Sequence, residues 1–553
     1  MLDPKRIKEN QARMASARMN HESDWADIGA LLLPELGHVN GQFSTPGERR
    51  TDAIFDEYAE LAVEDGISVF LGLVMPNGKK WQLISLGDEE LMKRQDVRRW
   101  CEMVQRRLFA LRDDPESGFA SAVSRSVKSL FGPGFQSTWV EIRRNDFGRP
   151  IGLSYESEHY GEIYFECDKR GRVMRIHRVM QFTAEQADIQ WRAKAPPKVK
   201  AAMTANPPRL TEPFEIIHVI ERNPNRIEAR MDAAGMPWLS GYYSCQDNLV
   251  FEQGGYWSLP RVISRWGRPS NESYGRSRSA IVLPSVRACQ IMMQDRVIAA
   301  ETNTKPPLIG RDDELDEMVL DIGPYGYTPG GLDEMGNPTL RTLFEGIDAS
   351  DLKELHIEAR GLIDRAYYRD LLQIFREQKT HMSVTRTVEE VEEKGILLEP
   401  FSLQEGEWLS PMTSREVVLM EELGLLNPMP PAVERFFDNL GGINVKYDNP
   451  LTKMRLAGAV VGLLRTGEQV ASFAQFDPSI ARDFSRRYPA KKWMPELGQI
   501  NGIPATWEAD DDEMAAFDER EAAQAEVQQL LGALPGIAQA TDSLTNAAAA
   551  NVA

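Results

Sequence analysis

The sequence predicts an α+β chain in which helices predominate, and three observations carry that reading. Apolar residues recur at three- to four-residue steps along several long stretches, as in helices that bury one face. Between about 131 and 275 the pattern changes to short strand-like runs separated by turn residues. Two helical stretches then flank residues 305–340, whose five prolines and six glycines exclude a continuing helix.

Taken in order, the first helix places Ile7, Met14, His21, Trp25, Ile28 and Leu32 on one side and stops at Pro34. A loop with Gly and Pro (GHVNGQFSTPGERR) follows. A second helix is expected from about Asp52, with Ala59, Ala62, Gly66, Val69, Phe70 and Leu73 together, ending at the PNG of 76–78 before a strand in WQLISL. The small Ala62 and Gly66 would let a neighbouring backbone come close. Phe135–Ile142 and Gly161–Phe165 read as strands, Asp168–Gly171 as a turn, and QFTAEQADIQW as a short helix capped by Thr183 with Gln186 three residues on. From Ser279 to Asn303, Val282, Val286, Cys289, Met293 and Val297 recur at helical spacing, with Pro284 near the start where it is tolerated. A further helix from about Ser350 carries Leu352, Leu355, Ala359, Leu362, Ala366 and Tyr367. The tail beyond Asp542 is Ala-rich and expected to fray.

Bulk properties narrow the function. With 553 residues the chain exceeds one core, so about two to four domains are expected. No apolar run is long enough to cross a bilayer, and MLDPKRIKENQ lacks the apolar centre of a signal peptide, so neither a membrane location nor export is expected. The four cysteines are far apart and form no CxxC, which argues against zinc sites and disulfides. A formal charge of −19 predicts no general attraction to nucleic acid.

Catalytic motifs fail one by one. Gly72–Lys80 (GLVMPNGKK) approaches a phosphate-binding loop but has the wrong glycine spacing and no hydroxyl after the lysine. HESDW at 21–25 has no second histidine at metal-ligand spacing, and GPG at 132–134 lacks the third glycine of a dinucleotide fingerprint. Asp510–Glu513 are consecutive carboxylates that diverge around a helix start and suit its dipole. No catalytic residue, cofactor site or metal site is expected, and the chain is not read as an enzyme.

The order of segments carries a resemblance. Trp25 with LLLPELG (31–37), DAIFDEYAELAVEDGISVFLGLVMPNGKKWQLISL (52–86), SLFGPGFQ (129–136) and DKRGRVMRIHRVMQFTAEQ (168–186) are followed by SRWGRPSNESYGRS (264–277). TRTVEEVEEKGILLEPFSLQEGEWLSPMTSR (385–415), NVKYDNPLTKMRLAG (444–458) and GIPATW (502–507) continue the series. Together they resemble, over roughly residues 10–540, the portal (head-to-tail connecting) proteins of short-tailed, podovirus-type bacteriophages. Gly395 inside a long-helix segment, and Tyr58 and Glu60 in place of small residues, depart from that pattern.

The resemblance implies a portal fold with wing, stem, clip and crown parts, twelve copies forming a ring around an axial channel at one capsid vertex. It implies a wing region over 1–278, a first stem helix at 279–303, a clip at 304–347 and a second stem helix at 348–375. A channel loop at 376–387, the long wing helix and following helices at 388–500, and a crown at 501–553 complete it. Implied partners are further copies of the chain, double-stranded DNA contacted without sequence specificity, the terminase packaging motor, tail adaptors, and major capsid and scaffolding proteins. The implied location is the virion, with assembly in the host cytoplasm. Another ring-forming tail or adaptor protein, or a nuclease or ATPase, are the competing classes.

One stretch gains meaning from this. FREQKTHMSVTRTVEEVEEKG (375–395) sets Arg376, Lys379, His381 and Arg386 close together in an acidic chain, before a helix start capped by Thr387 with Glu390 three residues later. By the resemblance these four basic residues are candidates to face DNA, and Lys305 and Arg341, near the ends of the implied clip, are weaker candidates.

Overall fold

A computed structural model of the chain describes residues 2–37, 39, 50–52, 54–92, 94–267, 272–305, 308–310, 335, 338, 340–342, 350–370, 398–438 and 442–452. It also describes 466–467, 469–473, 477–489, 493–494, 514–517 and 519–520. The chain divides into two units: Met1–Met382 with Glu393–Thr452, and Ser383–Glu392 with Lys453–Ala553.

The first unit opens with α1 (Pro4–Leu31), capped by the Asp3 carboxylate, which accepts from the Lys5 N–H, and started by a proline that needs no hydrogen-bond partner. Its inward face holds Ile7, Met14, Trp25 and Ile28, as the spacing predicts, and also Arg18. Arg18 is fully buried yet satisfied, because Nη1 donates to the carbonyls of Gly161 (2.8 Å) and Ile163 (3.1 Å) while Nη2 donates to Val39 O. Tyr160–Glu162 form a short 3-10 turn, so the next strand begins at Ile163 rather than at the expected Gly161.

Helix α2 (Tyr58–Val74) starts six residues later than the sequence expects from Asp52. The preceding backbone is drawn out of helix by Gln290, whose Oε1 accepts the N–H groups of Phe55 (2.7 Å) and Asp56 (2.9 Å). Strand β1 (Gln82–Leu86) follows, then α3 (Glu89–Met92), α4 (Gln95–Asp113) and α5 (Phe119–Phe131). The last two were not anticipated, although Val97, Trp100, Val104 and Leu108 repeat at helical steps and are all buried.

Most of the sheet follows. Strands β2 (Phe135–Arg144) and β3 (Pro150–Ser157) pair antiparallel, and β4 (Ile163–Cys167) and β5 (Val173–Thr183) form a hairpin around the Asp168–Gly171 turn. The expected capping box is present: Thr183 accepts from Gln186 N and Gln186 accepts from Thr183 N at the start of α6 (Ala184–Trp191). After α7 (Pro197–Thr204) come β6 (Pro213–Arg222), β7 (Trp238–Ser244), β8 (Leu249–Tyr256) and β9 (Arg261–Arg265). They complete a five-stranded antiparallel sheet in the order β4-β5-β6-β7-β8 and a three-stranded sheet β3-β2-β9.

Then come α8 (Arg278–Thr304), the short strands β10 (Leu308–Gly310) and β11 (Leu340–Thr342), and α9 (Ser350–Ala366). The unit ends with α10 (Glu399–Gln404), a π-helical turn at Glu405–Leu409, α11 (Ser410–Glu422), α12 (Pro431–Asp438) and β12 (Ile443–Tyr447), which pairs with β1. An aromatic centre joins these late helices to the early ones. Phe70, Phe131, Phe401 and Trp408 are all fully buried, with Phe70 and Phe401 centroids 5.0 Å apart. In the second unit the described elements include α13 (Pro478–Arg487), capped by Asp477.

Candidate functional site

The region of interest is the pair α8 and α9. The Ser279 and Tyr367 hydroxyls lie 2.7 Å apart, Arg278 Nη2 donates to Tyr368 OH (2.6 Å), and Arg296 Nη1 donates to His356 Nδ1 (3.2 Å). The start of one helix thus meets the end of the other, so they run antiparallel. At their far ends β10 and β11 form a two-stranded ribbon in register Leu308–Thr342, Ile309–Arg341, Gly310–Leu340. In the sequence the Pro- and Gly-rich residues 311–339 separate these two strands.

The pair is fixed to the unit by one carboxylate. Asp56, just before α2, is buried. Its Oδ2 accepts from His356 Nε2 (2.7 Å), and its Oδ1 accepts from Arg360 Nη2 (2.7 Å) and from Tyr58 N (3.1 Å). Gln290 of α8 also donates to the Asp56 carbonyl (2.8 Å). Burial works to raise the Asp56 carboxyl, but the hydrogen bonds from Arg360 and His356 outweigh it and hold the group below the usual carboxylate range. One turn on, Tyr58 OH donates to Asp364 (2.6 Å) while the Arg360 and Arg369 guanidiniums lie over its ring at 4.5 and 4.9 Å. Burial, reinforced by Asp364, pushes that phenol up to about 12.

Close packing locks the other end. A Cβ on Gly66 would sit 2.9 Å from the Tyr367 carbonyl oxygen, so α2 approaches α9 through the small residue the sequence singled out. The expected unbroken helix over 348–375 is interrupted there, because Tyr367 and Tyr368 form a turn, with Tyr368 at φ +60°. Tyr367 is fully buried against Phe131, which places the turn in the core.

Asp56, Cys289 and His356 also bring one carboxylate, one thiol and one imidazole within 4.8 Å of one another, a donor set that a soft divalent cation accepts. Here those atoms are already engaged. Arg360 and His356 hold the carboxylate, Arg296 holds the second imidazole nitrogen, and burial pushes the Cys289 thiol up to about 11, away from the thiolate a metal needs. The cluster reads as a closed polar lock.

Of the residues expected at the site, Lys305 caps the end of α8, exposed, where it lines a shallow groove with Val297, Ala300, Glu301 and Thr304. Arg341 lies in β11 opposite Ile309, so both fall at the junction of helix pair and ribbon. Arg376, Lys379, His381 and Arg386 lie outside the described residues. The lock itself was not anticipated: Asp56 and His356 are 300 positions apart, and nothing local marks either.

The chain-long comparison bears on what this architecture is for. A model of the bacteriophage head to tail connecting protein family matches residues 4–507. The chain belongs to that family. The probable portal protein of Bordetella phage BPP-1 is 24% identical over 504 residues, spanning 89% of this chain and 86% of that one. The portal protein of Salmonella phage epsilon15 is 22% identical over 563 residues, spanning 98% and 95% respectively. The matched span includes α2, the lock, both paired helices and the ribbon between them. Among the described residues no helix is long and apolar enough to cross a membrane.

Proposed function

We propose that the chain is the portal subunit of a short-tailed bacteriophage, forming a ring of twelve copies at one capsid vertex around a channel for double-stranded DNA. The observation that carries this is the family match over residues 4–507, joined to two relatives, one named a portal protein and one a probable portal protein, that are covered to 95% and 86% of their lengths. In this reading α8 and α9 are the stem, within 279–303 and 348–375. The segment 304–347 is the clip that docks the terminase motor and later the tail adaptors. The segments 1–278 and 388–500 form the wing, which faces major capsid and scaffolding proteins, and 501–553 the crown.

The protein does no covalent chemistry in this role; it holds a passage open. Tight phosphate binding would stall DNA, since each neutralised phosphate adds affinity through counterion release whatever the sequence. A chain of net charge −19 with a few basic positions at 376–387 gives weak, sequence-blind contact, repeated at one height by every copy. The subunit is a virion component assembled in the host cytoplasm. The test replaces Arg376, Lys379 and Arg386 together by Ala and, separately, deletes 310–340. The triple variant should form rings but change DNA retention or translocation. The deletion should form rings that recruit neither motor nor adaptors. Normal packaging by both would contradict these roles.

A further inference from the structure

The helical hairpin α6–α7 on the five-stranded sheet carries a charge pattern that the channel does not use. Residues 189–211 hold five basic side chains, Arg192, Lys194, Lys198, Lys200 and Arg209, and no acidic one, in a protein of net charge −19. All five are exposed. The fold presents them together. Trp191, Ala195, Val199 and Ala202 turn inward onto Phe214 and Ile216, which leaves Lys198 and Lys200 of α7 on the outside. Lys200 Nζ donates to the Ala193 carbonyl (2.6 Å), so its ammonium lies beside the backbone that joins Arg192 to Lys194. Arg209 N donates to Ala202 O (3.0 Å), which brings that residue back beside the end of α7.

Two of these charges are answered within the subunit: Lys194 pairs with Glu252 (2.7 Å) and Arg209 with Glu212 (3.4 Å). Arg192, Lys198 and Lys200 have no carboxylate partner among the described residues. Both lysines donate to carbonyls, of Gln246 and Ala193, which fixes each ammonium without neutralising it. Arg192 stands out further. Its φ of +44° and ψ of −116° are those of the first central position of a type II′ turn, which glycine ordinarily takes. An arginine is strained there, and strain of this kind marks places where a side chain serves a contact outside the fold.

We infer that this hairpin is a second DNA-contacting surface, outside the channel, where Arg192, Lys198 and Lys200 hold phosphates of duplex DNA. Duplex DNA as the polyanion rests on the ring reading above; the surface rests on the fold alone. Charge complementarity selects the occupant. Lysine is depleted where proteins pack on one another, whereas phosphate takes it as a point charge. Ala193 and Ala201, exposed among the cations, leave room for a wide rod to come close. Contact through phosphates alone is blind to sequence and steeply dependent on salt.

Covalently closed circular duplex DNA is the probe, because it has no end to thread through a closed ring. Full-length wild-type rings should retain it in a filter-binding assay, with log affinity falling linearly with log salt. Arg192→Gln/Lys198→Gln/Lys200→Gln should keep wild-type circular dichroism and ring images, lose at least about tenfold in affinity at about 0.1 M salt, and flatten the salt slope by about 2–3. Arg192→Gly, which removes strain and charge together, should unfold no earlier than wild type and flatten the slope by about 0.9. Unchanged affinity and slope in these variants would overturn the surface and leave the ring reading as it is. Loss of circle binding in Arg376→Ala/Lys379→Ala/Arg386→Ala, with the hairpin variants unaffected, would overturn it in favour of that stretch. Wild-type rings that ignore the circle and retain poly-glutamate would overturn it in favour of an acidic protein. A wild-type chain that forms no rings would remove the ring reading, and circle binding by that chain, lost in the triple hairpin variant, would still support the surface.

Discussion

The sheet region and the paired helices solve the problem of burial in opposite ways. Around the sheets, buried charge finds its partners inside the subunit. Glu158 accepts from Arg261 Nε (2.8 Å), Arg178 Nη1 (2.9 Å) and Ser137 Oγ (2.7 Å), and the fully buried Glu416 accepts from Arg112 Nε (2.9 Å) and Tyr155 OH (2.6 Å). Burial opposes the ionised form of Glu158, but Arg261 and Arg178 overcome it and hold its carboxyl below the usual range. Helices α8 and α9 instead satisfy one side each and leave Ile291 and Leu362 in solvent. A region that is closed in the monomer is a scaffold. A region that is half open still holds apolar surface in water.

The comparison can be broken from either side. The largest expected effect lies in the closed region: Glu416→Ala strands the Arg112 guanidinium in the core and should destabilise the subunit by about 3–5 kcal/mol, read by chemical denaturation. A loss below about 1 kcal/mol would show that water or a neighbour reaches Arg112.

Asp56→Asn comes next, with an expected loss of about 1–3 kcal/mol at neutral pH from weakened charge-assisted hydrogen bonds to Arg360 and His356. The Asp56 carboxyl is held low in the folded state, so its contribution is complete above the unfolded carboxylate range of about 3.9 and fades as pH falls through the lowered folded value. Wild type and variant should converge in acid. A difference that stays constant from neutral pH into acid would point to packing rather than charge.

Gly66→Ala should cost about 1–3 kcal/mol, because the new Cβ presses on the Tyr367 carbonyl and its neighbours do not yield easily. Unchanged thermal unfolding would show that α2 and the end of α9 can separate freely. The smallest effect on the subunit belongs to Leu362→Ala on the exposed side of α9, within about 0.5 kcal/mol for the dissociated chain by chemical denaturation. A loss as large as that of Gly66→Ala would show that this side is covered within the subunit.

What the sequence made legible divides along the same line. Local devices were readable: the Thr183–Gln186 capping box, the small Gly66, and the two helices around a Pro- and Gly-rich insert all depend on residues within a few positions. Helices α4 and α5 carried equally local periodicity and could have been read the same way. The start of α2 could not, since Gln290, 234 positions away from Asp56, holds that backbone out of helix. The Asp56–His356–Arg360 lock was hidden for the same reason. The apolar periodicity of α9 was visible, but periodicity alone does not say whether an apolar face meets its own chain or another. The basic positions 376–386 lie outside the described residues, so their role stays a proposal.

Image classification of the purified full-length protein by electron microscopy tests the central claim most directly. The account predicts closed rings with a central hole of a bore that admits duplex DNA. Particles that remain single subunits, or that close without a hole, at concentrations where the wild-type chain is fully folded, would contradict it.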